Sequence, residues 1–215
     1  MGKNFLILFA LAAILISPRQ LHAVVLYPLS DATTSSGSPD TNFNNYSGDL
    51  DAELWTGNFS DGSNTRTYLK FNLTGLSNMH GATLYLYNGL GSGGRSSFDP
   101  ASVGVYPAIS SDWGERSITW SNQPALGPLA ATSNVGTATG WYAWNITSLA
   151  QASYSGGVMS LALTSTEAGH IYYAREDSYG YMPYVDASMP EPATIITFGS
   201  FGLIFLPFIK RRPML

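Results

Sequence analysis

Short runs of strict apolar–polar alternation recur through the middle of this chain. A two-residue period suits a half-buried strand and little else. Between Thr65 and Asn72, Leu69 and Phe71 fall on one face, with Arg66, Tyr68 and Lys70 on the other. Ala82, Leu84 and Leu86 lie opposite Thr83, Tyr85 and Tyr87. Val103 and Val105 alternate with Gly104 and Tyr106, and Met159, Leu161 and Leu163 with Ser160, Ala162 and Thr164. Further strands are expected at 24–27, 50–56, 140–145, 171–174 and 184–187. Clusters of Gly, Pro, Ser and Asn separate the runs. One or two helical turns are expected from Thr147 to Tyr154, capped by Asn145 or Thr147 and ended by Gly156-Gly157. Many short strands joined by loops predict an all-β fold, a single jelly-roll-like β-sandwich.

The two ends follow a different pattern. Residues 1–23 read as a signal peptide: Lys3 opens it, Phe5 to Ile16 is apolar, and Leu21-His22-Ala23 offers a small residue at the cut. At the other end, Thr194 to Ile209 is uncharged and is followed by Lys210, Arg211 and Arg212. Those sixteen residues make a helix of roughly 24 Å, a short transmembrane span. The basic cluster stays on the cytoplasmic side, which places the preceding domain outside. Just upstream stand Pro190, Glu191 and Pro192. This order of Pro-Glu-Pro, apolar helix and basic cluster resembles the PEP-CTERM sorting signal of Gram-negative bacteria. The resemblance implies export through the inner membrane, recognition by an exosortase and delivery to the cell surface or extracellular matrix, with a transient membrane anchor. Residues 189–215 are thus read as the sorting segment and 24–188 as the folded domain.

Only 11% of the residues are charged, and cysteine is absent. No disulfide framework or thiolate metal site is therefore available. Half of the ten basic residues belong to the two terminal segments, leaving Arg66, Lys70, Arg95, Arg116 and Arg175 against thirteen acids in 24–188. An acidic domain without a basic footprint is not a nucleic-acid binder. The balance points to a neutral polymer or a cation-bridged one.

Several motifs in the domain carry a second resemblance. Asp31-Ala32-Thr33-Thr34 leads to Pro39-Asp40-Thr41-Asn42-Phe43, then to Arg66-Thr67-Tyr68-Leu69-Lys70-Phe71-Asn72-Leu73 and Ala82-Thr83-Leu84-Tyr85-Leu86-Tyr87. Trp113-Gly114-Glu115 precedes Ile118-Thr119-Trp120-Ser121-Asn122-Gln123-Pro124, and later come Trp144-Asn145-Ile146-Thr147, Ala174-Arg175-Glu176 and Pro183-Tyr184-Val185. In this order they resemble the DNRLRE domain, which implies an extracellular, non-catalytic carbohydrate-binding β-sandwich with a polysaccharide partner. Asn44 stands where that family often has glycine, and Asn72 where it often has Asp.

Sugar binding needs flat aromatic faces and a few polar groups to orient hydroxyls. If the strands at 65–72 and 82–87 are neighbours, Arg66, Tyr68, Lys70, Tyr85 and Tyr87 line one solvent-facing platform. The alternative is a solvated sheet face with ordinary cross-strand pairs. Trp55, Trp113 and Trp141 stand near turn signals and are candidates for stacking, whereas Trp120, in a strand-like motif, and Trp144 are expected in the core. Arg175 and Glu176 read as an ion pair closing a strand end, or as a polar clamp on a sugar. The ligand-binding set is thus Arg66, Tyr68, Lys70, Tyr85, Tyr87, Trp113, Arg175 and Glu176. No cofactor is called for, although Asp31, Asp40, Asn42, Asp49 and Asp51 form an oxygen-rich segment open to structural calcium as well as to plain solvation. Catalytic material is thin: His170, Tyr172 and Arg175 are the only lyase-like trio, and no spacing supports a triad or a two-histidine metal site. Three readings follow: a polysaccharide-binding surface protein, a structural biofilm protein using the sandwich for protein–protein contacts, and a small lyase or hydrolase.

Overall fold

A computed structural model describes residues 21–45, 53–76, 78–89 and 99–190. Among the described residues eleven strands form in chain order: β1 (Leu21–Leu26), β2 (Pro28–Ser35), β3 (Glu53–Asn58), β4 (Asn64–Asn72), β5 (Gly81–Asn88), β6 (Ala101–Pro107), β7 (Ala131–Val135), β8 (Gly140–Asn145), β9 (Val158–Thr164), β10 (His170–Tyr173) and β11 (Tyr184–Pro190). The named strands all pair antiparallel. One helix, α1 (Thr147–Ser153), joins β8 to β9. The fold is all-β, as expected.

The strands make one curled sheet with two facing halves. In the first half, β1 pairs β11, β11 pairs β5 and β5 pairs β8. In the second, β2 and β9 flank β4, and β6 joins β9 to β7. Strand β3 turns the corner. Its first four residues pair with β10, and its last two, Gly57 and Asn58, pair with Thr65 and Asn64 of β4. The bend explains the glycine: Gly57 has φ +104°, and a Cβ there would stand 2.6 Å from the Ala168 carbonyl oxygen.

The inward faces of both halves fill one core. Leu69, Phe71, Val103, Val105, Leu161 and Leu163 come from the second half, and Leu84, Leu86, Trp144, Tyr172 and Val185 from the first. Trp144 is fully buried, as expected, and its Nε1 donates to the Val103 carbonyl at 2.9 Å, tying the halves together. Burying about 200 Å² of indole there is worth several kcal/mol.

Some local expectations need correction. The run at 24–27 is the end of a longer strand, β1, which starts at Leu21; Tyr27 lies outside it, and a second strand, β2, not expected from sequence, follows at once. Trp120 lies in an irregular turn, half-buried, and not in a strand. The start of α1 has no side-chain cap; instead Asn145 Oδ1 accepts the Thr147 N–H at 3.1 Å. Gly157, at φ +71°, ends the helical stretch as anticipated.

Pairing begins at Leu21 and ends at Pro190, so the sheet takes in Leu21–Ala23 and Met189–Pro190 as well as the domain. The rest of the expected signal peptide lies outside the described residues, as do Glu191, Pro192, the apolar run and Lys210, Arg211 and Arg212. Among the described residues no helix is long and apolar enough to cross a membrane.

Candidate functional site

Strand β5 sends Leu84 and Leu86 into the core, so Tyr85 and Tyr87 stand on the outer face of the first half. Register brings other aromatics to them. Tyr184 of β11 lies opposite Tyr85, and Trp141 of β8 lies opposite Tyr87. The Tyr85 and Tyr184 rings stack at 4.8 Å, and Trp141 meets Tyr184 at 5.1 Å and Tyr87 at 5.3 Å, both edge-on. Tyr173 of β10 continues the row, 5.8 Å from Tyr87.

A sixth ring arrives from the loop before β11. Asp177, itself buried, accepts the backbone N–H groups of Tyr179 at 3.0 Å and Tyr181 at 2.8 Å through one carboxylate oxygen. That turn sets Tyr181 4.1 Å above Tyr87, ring on ring. The result is a continuous surface of Tyr85, Tyr87, Trp141, Tyr173, Tyr181 and Tyr184. The five tyrosines are half-buried and Trp141 is 40% exposed. Burial, aided by neighbouring phenols and acids, raises the pKa of Tyr173 and Tyr184. Their hydroxyls thus stay protonated and can donate to a ligand at neutral pH.

The row leads around the corner strand. Tyr173 pairs with Glu53 and Ile171 with Trp55. Trp55 Nε1 donates to Glu53 Oε2 at 2.9 Å, and its ring lies 5.3 Å from Phe59. These two rings wall a cleft of about 570 Å³, whose other sides carry Thr33, Ser35, Ser63, Thr65 and Asp61. Flat rings beside hydroxyl-rich walls can stack on the CH faces of sugars and exchange hydrogen bonds with their hydroxyls.

The expected single platform does not form. β4 and β5 lie in opposite halves of the sheet, so Arg66, Tyr68 and Lys70 never meet Tyr85 and Tyr87. The outer face of β4 is not open to solvent either. The loop 108–126 roofs it, and Tyr68, Ala32, Ala162, Trp113 and Ile118 form a second small core. Tyr68 is fully buried, its hydroxyl 3.1 Å from Gln123 Oε1 and 3.0 Å from the Pro124 carbonyl oxygen. Lys70 Nζ donates to the Trp113 carbonyl at 2.6 Å and sits 4.4 Å from that indole's centroid, and burial lowers its pKa. Arg66 lies 4.7 Å from the centroid of Trp120. Trp113, expected as a stacking residue near a turn, is buried instead, with Nε1 donating to Ser160 Oγ at 2.9 Å.

Arg175 and Glu176 do form the expected ion pair, at 2.6 Å, and Arg175 also grips both carboxylate oxygens of Glu115. Burial works against the Arg175 charge, but Glu115, Glu176 and Asp31 outweigh it and raise the pKa. Asp31 is buried beside them, and desolvation, with Glu176 and Glu115 adding, pushes its carboxyl up to about 7. His170 and Tyr172 are fully buried, so neither half of the lyase-like pair reaches solvent.

A family model, carbohydrate-binding module family 96, matches residues 22–185. The chain belongs to this family. No curated protein matches it. For a carbohydrate-binding module the outer aromatic face is the chemically suited surface; of the expected ligand-binding set Tyr85 and Tyr87 lie on it, together with Trp141, a stacking candidate from sequence. Tyr173, Tyr181 and Tyr184 were not singled out from sequence. The outward parity of 173 and 184 in their strands was the available signal, whereas Tyr181 depends on a turn held by Asp177.

Proposed function

We propose that this family 96 module is a non-catalytic, polysaccharide-binding protein of the cell surface or extracellular matrix, holding glycan on the outer face of β5, β8, β10 and β11. The observation that carries this reading is the unbroken contact of six aromatic rings on one outer sheet face. Export, exosortase recognition and a transient membrane anchor belong to the same proposal. They are supported by the apolar start of the chain, by Pro190-Glu191-Pro192 and by the basic cluster Lys210-Arg211-Arg212.

The test is affinity electrophoresis of the full chain through gels containing different neutral and acidic polysaccharides. Retardation in at least one gel, lost when Tyr87 and Trp141 are both changed to Ala, supports the proposal. Equal mobility in every gel contradicts it.

A second reading, self-association in a surface layer, draws on one observation. Val25 of β1, which ends the sheet, is about half exposed, as are Tyr27 just after it and Leu29 at the start of β2. An apolar edge strand can pair with another copy. Concentration-dependent sedimentation without glycan separates this reading from the first.

A further inference from the structure

The cleft beside Trp55 is a built feature, set apart from the six-ring face. Thr33 Oγ1 of β2 accepts the Trp55 backbone N–H at 3.0 Å, and Thr67 Oγ1 of β4 donates to the Trp55 carbonyl at 3.1 Å. These bonds hold β3 against the hydroxyl-bearing ends of β2 and β4. The other walls are tied together as well. Ser36 N–H donates to the Asn64 carbonyl, and the Asn64 N–H donates back to Ser36 Oγ, both at 2.9 Å. Gly37 then comes so close to the 59–63 turn that a Cβ on it would stand 2.9 Å from Ser63 Cβ. On the far side, Asn44 Nδ2 donates to the Asp31 carbonyl at 2.9 Å and fastens the turn that carries Phe43. A preformed cleft of about 570 Å³ is within the range of small-ligand sites.

Its lining selects a ligand class. One wall is the half-buried Trp55 ring, and buried Thr33, Ser35, Ser63 and Thr65 supply hydroxyls. The charge is supplied by Asp61. Its Oδ1 accepts the Ser63 N–H at 2.8 Å and the Ser63 hydroxyl at 2.6 Å, and these bonds hold its carboxyl below the usual carboxylate range. Asp61 is therefore ionised at neutral pH, and its Oδ2 takes no hydrogen bond among the described residues. Of the oxygen-rich stretch read from sequence, Asp40 accepts the Ser121 hydroxyl at 2.7 Å, and Asp49 and Asp51 lie outside the described residues. Among the described residues lining the cleft there is no Lys, Arg or His. A carboxylate accepts sugar hydroxyls well and repels a uronate or a sulfate.

We infer that this cleft is a second glycan subsite, specific for uncharged sugar residues, in which Trp55 stacks on a sugar face and Asp61 accepts its hydroxyls. The inference rests on the reading of the chain as a glycan binder, but it does not depend on the outer face of β5, β8, β10 and β11. A neutral chain can occupy both surfaces, whereas an acidic one is confined to the outer face.

The experiment removes the outer face and watches the cleft. The full chain carrying both Tyr87→Ala and Trp141→Ala is titrated with hexamers of glucose, of mannose and of galactose, and with a galacturonate hexamer for contrast. The readout is the Trp55 indole N–H signal in NMR, assigned as the one missing from Trp55→Phe. At least one neutral hexamer should move it, with a dissociation constant on the order of 1 mM, too weak to retard the chain in a gel. Asp61→Asn keeps an oxygen for the Ser63 N–H, so it should fold normally and bind that hexamer roughly tenfold more weakly. A Trp55 signal unmoved by every neutral hexamer at ten times that concentration overturns the inference. So does an equal response to the galacturonate hexamer, or unchanged affinity in a folded Asp61→Asn variant. The outer-face reading fails separately, by gel retardation that survives the loss of Tyr87 and Trp141.

Discussion

Trp141 tests the role of the aromatic face with the least damage to the fold. It is 40% exposed and lies at the side of β8, so Trp141→Ala removes a large ring without opening the core. A Trp side chain presents up to about 250 Å², so roughly 100 Å² of this one faces solvent. A sugar ring covering that area would gain about 2.5 kcal/mol at 25 cal/mol per Å². Desolvation of sugar hydroxyls takes back part of it, leaving about 1–2 kcal/mol, or a roughly 5- to 30-fold loss of affinity. The substitution also removes the edge contacts to Tyr87 and Tyr184, which should cost about 1–2 kcal/mol of stability. For a domain of this size that lowers the melting temperature by roughly 2–8 °C. The assay is gel retardation or calorimetry on the polysaccharide that binds wild type best, with a thermal melt alongside. Trp141→Phe, which keeps a ring, should recover most of the affinity. Unchanged binding by Trp141→Ala would refute the assignment of this face.

Three other substitutions probe the rest of the account. Lys70→Ala should leave glycan binding unchanged but destabilise the fold by about 1–2 kcal/mol, because Lys70 serves the roof through the Trp113 carbonyl and ring; a selective loss of binding would restore it to the ligand site. Gly57→Ala should cost about 2–3 kcal/mol in a denaturant melt, since the corner needs a positive φ and the new Cβ meets the Ala168 carbonyl. His170 is buried with neither ring nitrogen paired, and burial lowers its pKa. At this site the unfolded chain therefore binds a proton more readily than the folded one, so His170 takes stability away as pH drops below about 6.5, against the gain from Asp31, whose raised carboxyl takes up its proton in the folded state. Between about pH 8 and pH 5 the melting temperature of His170→Phe should rise relative to that of wild type, and parallel curves would speak against a cost from the buried imidazole.

Most of the strands were legible from sequence, but β2 and β7 were not. β5 alternates cleanly because its outer face carries half-buried Tyr85 and Tyr87 over buried Leu84 and Leu86. β2 gave no such signal. Asp31 through Ser35 are all buried, one side facing the sandwich and the other covered by loops, so polar residues occupy both faces. The same covering misleads at β4, where Arg66, Tyr68 and Lys70 read as a solvent face but lie beneath the 108–126 loop. Alternation reports which side a residue takes; it carries no information about which loop later covers that side. The neighbours of β5 were equally hidden. Pairing with β8 and β11 brings together residues 85, 141 and 184, and nothing local in the chain specifies that pairing. The ion pair of Arg175 and Glu176 was readable because its members are adjacent. Its links to Asp31 and Glu115 were not, since these lie 144 and 60 residues away.

The central claim is that glycan lies on the outer face of β5, β8, β10 and β11. Saturation-transfer and chemical-shift mapping by NMR, using an oligosaccharide of the retained polymer and the full chain, tests it most directly. The account predicts perturbations centred on Trp141, Tyr87 and Tyr184, with Tyr85, Tyr173 and Tyr181 around them. Perturbations confined to the roof over β4, or absent from all six rings, would contradict it.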